Sequence, residues 1–212
     1  MRVLRRHVVR LLALAVTASL LAAAPASAGA PLDQLRQQVD RVLKVLDDPE
    51  LKKETKAKDR RVAVRKIANE IFDFGETARR SLGRHWQART PAEREEFVQL
   101  FTDLLERSYI SRVELYGGEK IQYIGDRIDG ETALVQSKLL TKNGSEVPIE
   151  YRMLKKAERW LVYDVVIEGV SLVANYRTQF NKIIQTSSFQ ELVKKMKTRQ
   201  EQLGVSSAQR QG

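Results

Sequence analysis

The spacing of apolar residues changes twice along this chain of 212 residues, and the changes divide it into three parts. From Leu32 to Tyr116 apolar residues recur at every third or fourth position, which indicates amphipathic helices. From Lys120 to Ile167 they alternate with polar residues, which is typical of strands with one buried face. After Gly169 the helical spacing returns. The pattern therefore predicts helices, then a sheet, then helices again.

Four helices are predicted before the sheet. Their expected extents are 32–46, 64–74, 76–86 and 91–116. Gly75 is expected to break the second helix, because glycine is a poor helix former. Thr90 caps the fourth helix, Pro91 takes its first position, and Glu93 completes a capping box, which makes this start the most strongly marked of the four.

Four strands are predicted, with extents of 120–127, 131–142, 146–156 and 160–167. Asn143-Gly144 is a strong hairpin signal between the second and third. Short turns can join sequential strands only when neighbours are antiparallel, so we expect a four-stranded meander. Beyond the sheet, Ser171 and Ser188 are expected to cap two further helices.

Alternation assigns the strand residues to two faces, and one face is apolar. The expected apolar face carries Ala133, Val135, Ser137 and Leu139 in the second strand, Val147, Ile149, Tyr151 and Met153 in the third, and Leu161, Tyr163, Val165 and Ile167 in the fourth. Asp164 and Glu168 are expected on the opposite face. An apolar sheet face must be covered, and the helices before and after the sheet are the available cover. The predicted fold class is α+β, a curved four-stranded antiparallel sheet wrapped by N- and C-terminal helices.

Helices packed against a curved antiparallel sheet form a cone that resembles nuclear transport factor 2, here with extra helices. Such cones often keep an apolar hollow that binds a ligand. The candidate residues of the pocket come from the strand faces and the long fourth helix. They are Phe101, Leu104, Tyr109, Val135, Leu139, Ile149, Tyr151, Met153, Tyr163 and Val165. The pattern leaves open whether side chains fill this hollow.

The first 28 residues are predicted to be a cleavable signal peptide. Four arginines precede an apolar stretch over 11–24, and Ala26-Ser27-Ala28 is a cleavage site, so we expect cleavage before Gly29. A membrane anchor is the less favoured interpretation, because this apolar stretch is shorter than the length of about 20 residues that a membrane-spanning helix needs. The chain has no cysteine for a lipid anchor or a disulfide. We expect a single domain over 29–204 and a flexible tail over 205–212.

The expected mature chain is basic, with 33 Lys and Arg, 27 Asp and Glu, and a net charge of +6. A basic protein can bind nucleic acid, but export argues against that partner. Anionic lipid head groups or an acidic protein surface are more plausible targets. The stretch 52–66 carries eight basic residues. It is interpreted as a solvated helix face, with docking to such targets as the alternative.

The sequence contains no recognisable catalytic or metal-binding motif. His85 is the one histidine of the expected mature chain, and a zinc site needs more nitrogen or sulfur ligands. Asp164 and Glu168 are interpreted as solvated or ion-paired carboxylates rather than a glycosidase pair. Ser171 reads as a helix cap. We therefore predict a protein that is not an enzyme and has no cofactor and no metal.

Two blocks of the sequence resemble the MlaC, or toluene-tolerance, family. The first runs from Ile71-Phe72-Asp73-Phe74 through Leu82-Gly83-Arg84-His85-Trp86 into the fourth helix. The second covers 160–180 and includes Tyr163-Asp164-Val165, Glu168-Gly169-Val170-Ser171-Leu172 and Asn175-Tyr176-Arg177. Both occur in order behind a cleavable signal, and together they span most of the mature chain.

The resemblance implies a soluble periplasmic carrier that shields phospholipid acyl chains and shuttles them between the two membranes, a role linked to outer-membrane lipid asymmetry. It implies that bound phospholipid is cargo rather than a cofactor. It also implies two protein partners, an inner-membrane ABC transporter complex with an MCE-domain protein and an outer-membrane lipoprotein–porin complex. Neither nucleic acid binding nor stable membrane insertion is expected.

Three other functions remain open at this point. A carrier of another lipid, such as a hopanoid, would differ in the shape of its cavity. A small-molecule enzyme on the same cone, such as an isomerase or dehydratase, would need an ionisable side chain aimed into the hollow. A structural or adaptor protein would have a filled core.

Overall fold

The computed structural model describes residues 31–113 and 116–198, excluding the side chains of residues 110–112. The expected signal peptide over 1–28 and the expected tail over 205–212 lie outside these residues. The helices before the sheet are α1 (Pro31–Asp47), α2 (Ala57–Ile71), α3 (Phe74–Leu82) and α4 (Pro91–Val113). Within the described residues, no helix is long and apolar enough to cross a bilayer.

The capping box at the start of α4 is confirmed. The Thr90 hydroxyl accepts a hydrogen bond from the Glu93 amide at 3.2 Å, and the Glu93 carboxylate accepts one from the Thr90 amide at 2.9 Å. Two of the orphan amides at the helix start are thus paired by side chains next to them in sequence. Because this pairing is local, the start of α4 can be predicted from the sequence alone.

The break between α2 and α3 lies at Phe72-Asp73, so the predicted break at Gly75 is wrong. Phe72 forms an isolated bridge with Val162 of the sheet, and the Asp73 amide donates to the Val162 carbonyl at 2.9 Å. The Asp73 carboxylate then accepts from the Glu76 amide at 3.0 Å and caps α3. Gly75 lies inside the first turn of α3 because the chain leaves the helix earlier, to meet the sheet.

The sheet is the predicted antiparallel meander with one short strand added. It contains β1 (Lys120–Asp129), β2 (Thr132–Leu140), β3 (Glu146–Lys156), β4 (Arg159–Ile167) and β5 (Val170–Ser171), paired in chain order. The sequence analysis missed β5, which has two residues and pairs with the end of β4. Glu168 and Gly169 join the two strands with φ of 49° and 79°. Positive φ at both positions is what a type I′ hairpin turn requires.

Two helices follow the sheet, α5 (Leu172–Thr186) and α6 (189–198). Both predicted caps are confirmed. The Ser171 hydroxyl accepts from the Ala174 amide at 3.0 Å, and the Ser188 hydroxyl accepts from the Glu191 amide at 3.0 Å. Ser171 therefore ends β5 and caps α5 at the same time.

The β3–β4 turn holds a strained residue, and relieving the strain should stabilise the protein. Ala157 has φ of 51°, a left-handed conformation that costs a residue with a Cβ atom roughly 1 kcal/mol or more. We expect Ala157→Gly to raise the free energy of unfolding by about 0.5 kcal/mol, since glycine also loses more entropy on folding. Urea unfolding measures the change. Ala92→Gly, in the exposed first turn of α4, should instead lower the free energy of unfolding. A lower free energy of unfolding for both variants would contradict the strain argument.

The buried apolar residues form two clusters. The helical cluster joins α3, α4, α5 and α6 around Phe97, Phe101 and Phe180. The sheet cluster joins α1 and α2 to the sheet, with Leu35 and Ile67 against Val135. Only the helices at the start of the described chain thus cover the apolar sheet face. The predicted α+β fold, with helices from both ends of the chain packed on the sheet, is confirmed, but α5 packs on the opposite face of β4 rather than on the apolar face.

Candidate functional site: the inner face of the sheet

The sheet face that packs against α1 and α2 is called the inner face. Strand register places its residues in cross-strand rows, because alternate residues point to the same side. From the β3–β4 turn toward the β2–β3 turn, the rows are Ile128, Ala133, Met153 and Val162; Asp126, Val135, Tyr151 and Val165; Tyr123, Ser137, Ile149 and Ile167; and Ile121, Leu139 and Val147. The face is apolar except for three hydroxyl groups and Asp126, an exposed residue on β1 whose carboxylate accepts a hydrogen bond from the Leu32 amide of α1 at 3.3 Å.

Burial along the inner face falls from one end to the other. In the first row Ala133 is 6% exposed, Met153 1% and Val162 0%, because α1 and α2 lie directly on them. In the last two rows Ile149 and Leu139 are half-buried and Ile167 is 42% exposed. The first two rows are called the sealed half and the last two the open half. An apolar surface that is only partly covered can accept an apolar ligand without first losing a packed neighbour.

Strand β4 changes face in the middle, so half of its predicted inner residues are placed wrongly. Arg152 pairs with Asp164 but Met153 pairs with Val162, which leaves Tyr163 as an extra residue in a bulge. Val165 and Ile167 lie on the inner face as predicted, while Leu161 and Tyr163 do not. Simple alternation fails here because a bulge shifts every following side chain by one position.

The ten predicted pocket residues fall into three groups. Six lie together on the inner face: Val135, Leu139, Ile149, Tyr151, Met153 and Val165. Three belong to the helical cluster, where Phe101 is fully buried and Leu104 and Tyr109 are partly buried. Tyr163 lies apart from both groups, with the Arg80 guanidinium 4.0 Å from its ring centre.

Tyr163 lines a concavity of about 330 Å³ on the outer side of the sheet. Four arginines line it as well: Arg79, Arg80, Arg152 and Arg177. Asp164, 2% exposed, lies at its floor and holds the surrounding elements together. Its carboxylate accepts hydrogen bonds from Arg152 at 3.1 Å, the Ser171 hydroxyl at 2.7 Å and the Val173 amide at 3.0 Å. The predicted ion-paired role of Asp164 is therefore confirmed, and it anchors the start of α5 to the sheet.

Three hydroxyl-bearing residues interrupt the inner face where its two halves meet. Tyr123 on β1 lies directly opposite Ser137 on β2, and the Tyr151 phenol on β3 is near enough to raise the pKa of Tyr123. The Tyr123 and Ser137 hydroxyls are buried and make no hydrogen bond of ordinary geometry among the described residues, although Ser137 is close enough to the Tyr151 phenol to lower the pKa of Tyr151. Burial is the main reason that the pKa of Tyr123 and that of Tyr151 are both raised. Both phenols therefore stay neutral and act as hydrogen-bond donors.

Sequence reasoning did not select Tyr123 because the face of β1 was not assigned. A register shift between Tyr123 and Gly125 disturbs the alternation in that strand. Ser137 was placed on the correct face but was treated as a small filler. The sequence feature that could have identified Ser137 was a hydroxyl at an inward-facing position of a strand whose other inward-facing residues are apolar.

Other residues with potential chemistry are used in local structure. The lysines at positions 52, 53 and 56 pair with Asp47, Glu50 and Asp59 at 3.0, 2.6 and 2.9 Å, all on an exposed surface. His85 Nε2 lies 3.0 Å from the Asn181 side-chain oxygen. Among residues 31–113 and 116–198, no group of three or more histidine or acidic residues is placed to hold a metal.

Glu106 on α4 is a buried carboxylate that the sequence analysis did not select. It is 7% exposed and forms an ion pair with Arg65 of α2. Burial raises the pKa of Glu106, Arg65 and Arg107 oppose that rise, and Asp103 adds to it. Because Glu106 has a partner on the neighbouring helix, its position is explained by a contact between α2 and α4.

We expect the change in the free energy of unfolding from wild type to Glu106→Gln to be more favourable at about pH 7 than at about pH 4. The folded-state pKa lies above the unfolded-state value, so the folded state binds more protons between them and wild-type stability falls as pH rises through that window. Glutamine does not titrate and lacks this fall. Urea unfolding at both pH values measures the free energy of unfolding, with the exposed Glu95→Gln as the control. A variant that loses more stability at the higher pH would show that attraction to Arg65 outweighs burial.

Comparison with known proteins adds three findings. The family model described as MlaC protein matches residues 36–198. An intermembrane phospholipid transport system binding protein MlaC from Haemophilus influenzae is 26% identical over 121 residues. That alignment covers 54% of this chain and 56% of the relative, so the chain spans about half the length of the curated relative it matches.

A solved structure matches over a greater length. It is a phospholipid-binding protein from Ralstonia solanacearum, determined in complex with a phospholipid. The identity is 27%, the TM-score is 0.72, and the match covers 83% of this chain and 99% of that one. The fold is therefore shared over nearly the whole described region. Since the family model covers most of the sequence, the chain belongs to the MlaC family.

Proposed function

We propose that this protein is a periplasmic carrier that binds phospholipid acyl chains on the inner face of its sheet and moves them between membranes. The observation that carries the proposal is the apolar inner face, sealed at one end and partly open at the other. Family membership supports it, as does the likeness to a protein solved with a phospholipid bound.

The physical need for such a carrier is large. Exposing one acyl methylene to water costs about 0.8 kcal/mol, so two sixteen-carbon tails cost roughly 25 kcal/mol if unshielded. A lipid does not cross an aqueous gap at a useful rate against that cost. A preformed apolar surface lowers it, and the carrier needs no catalytic group to do so. Direction would come from the proteins that load and unload it.

The geometry suggests how acyl chains are accommodated. The six inner-face residues predicted from the sequence are proposed to contact the tails, beginning with Ile149 and Leu139 in the open half. In the sealed half, α1 and α2 occupy the space over Val135 and Met153. Full-length tails would therefore displace these two helices from the sheet. In this proposal Phe101, Leu104 and Tyr109 support the site through the helical cluster, and Tyr163 supports it from the outer side.

The remaining parts of the proposal concern export and partners. The chain would be made as a precursor, cleaved before Gly29, and released as a single domain over 29–204 with a short tail. Its basic surface would help it meet anionic head groups or acidic protein surfaces. The proposed partners are an inner-membrane ABC transporter complex with an MCE-domain protein and an outer-membrane lipoprotein–porin complex.

The test is native mass spectrometry with lipid extraction on protein exported to the periplasm and purified without detergent. We expect near-stoichiometric diacyl phospholipid and a mature N-terminus at Gly29. The lipid-free protein should also take up phospholipid from vesicles. Protein that carries no lipid after purification and takes up no phospholipid from vesicles would overturn the carrier function. A co-purified polycyclic lipid would show that the cargo is a different lipid.

A further inference from the structure

We propose that Tyr123, Ser137 and Tyr151 form a hydrogen-bonding site for the ester carbonyls of a diacyl lipid. This inference rests on the proposed function and names the chemical class of lipid that the site selects. The three residues lie on adjacent strands of the inner face, where the sealed half meets the open half.

Unpaired buried hydroxyls call for a physical explanation. Ser137 is 1% exposed, and neither its hydroxyl nor that of Tyr123 makes a hydrogen bond of ordinary geometry among the described residues; Ser137 has only a weak contact with the Tyr151 phenol. Burying a hydroxyl without a hydrogen bond destabilises a protein, and native structures contain few such groups. Two of them directly opposite each other on paired strands form a concentrated donor site. A ligand that supplies acceptors would satisfy both together.

The chemistry of the site favours a neutral acceptor. Neutral phenols and a serine hydroxyl can donate to an oxygen, and the residues next to them on β2, β3 and β4 of the inner face are apolar. Val135, Ile149 and Val165 surround the hydroxyls in the rows of the inner face. A phosphate placed there would lose its hydration and would face the carboxylates of Asp40 and Asp126 as well as the Arg36 guanidinium. An ester carbonyl is neutral, accepts hydrogen bonds only, and lies next to the acyl chains in a diacyl lipid.

Position along the face agrees with this chemistry. The ester groups of a phospholipid lie between its tails and its head group. The hydroxyls lie between the sealed half and the open half, where Ile167 is 42% exposed. Esters held at the hydroxyls would lie beside Ile149 in the open half and Val135 in the sealed half, so the tails would contact residues of both halves. Arg36 of α1, whose guanidinium lies 5.0 Å from the Tyr123 ring centre, holds that ring in place.

The test compares two phospholipids with the same head group and chain length, one with ester and one with ether linkages. We expect the wild-type protein to bind the diester about tenfold more tightly, since two neutral hydrogen bonds are lost with the diether. The double variant Tyr123→Phe, Ser137→Ala should bind both lipids alike. Tyr116→Phe, in the loop between α4 and β1, is the matched control and should keep the preference.

Folding supplies a second readout. Removing two unpaired hydroxyls should leave the melting temperature of the lipid-free double variant equal to or above that of the wild type. Equal wild-type binding of diester and diether would overturn the ester site and leave the carrier function intact. Binding of neither lipid would overturn both. A double variant that still prefers the diester would also overturn the ester site.

Discussion

Ile149→Asp should abolish lipid uptake while the protein remains folded. Ile149 lies in the open half of the inner face, opposite Ser137 on β2 and Ile167 on β4. A carboxylate there would have to be desolvated against the acyl chains, a cost of several kcal/mol. We expect affinity for phospholipid to fall by about 100-fold or more, because each 1.4 kcal/mol is a factor of ten. Uptake of a fluorescent phospholipid from vesicles measures it.

Gln122→Asp is the matched control for this experiment. Gln122 is exposed and pairs with Lys138, so it lies on the outer face of the sheet. The variant places the same carboxylate on another strand of the sheet without touching the proposed site, and it should bind lipid like the wild type. Circular dichroism should show that both variants are folded. A folded Ile149→Asp protein with normal uptake would remove the inner face from the lipid site.

Phe101→Ala should be the most destabilising of the substitutions considered. Phe101 is fully buried, and its ring lies 4.9 Å from the Tyr176 ring centre, 5.2 Å from that of Phe180 and 5.8 Å from that of Phe97. Truncating a buried phenylalanine costs about 3–5 kcal/mol from lost transfer energy and the cavity left behind. We expect about 4 kcal/mol, which for a domain of this size is roughly 10 °C in melting temperature. Urea unfolding of lipid-free protein measures it.

The exposed neighbour Gln99→Ala should change stability by no more than about 0.5 kcal/mol. The comparison also bears on the role of Phe101 as a pocket residue. A residue that only lines a lipid site would lose lipid affinity on truncation with little loss of stability. That outcome would contradict the structure, in which Phe101 belongs to a closed aromatic cluster of four helices.

The parts of the fold that can be predicted from the sequence are those that depend on local interactions. Thr90 and Glu93 satisfy each other within one turn, and the alternation over β2 and β3 continues without interruption. In both cases the deciding contacts lie close along the chain or repeat with a fixed period. The end of α2 is different, since Phe72 leaves the helix to bridge Val162, 90 positions later. No local pattern carries that information.

The same distinction applies to the candidate site. The sequence by itself determined that the sheet has an apolar face, and it placed ten residues on that face correctly, six of them pocket candidates. The register shift at Tyr163 moved Leu161 and Tyr163 to the other face, and the shift after Tyr123 interrupts the alternation in β1, because a bulge depends on how two strands pair. Only the tertiary structure decided that α1 and α2 cover the inner face while α4 packs among other helices. Many helix faces are apolar enough to cover a sheet, and the choice among them is made by packing between distant segments.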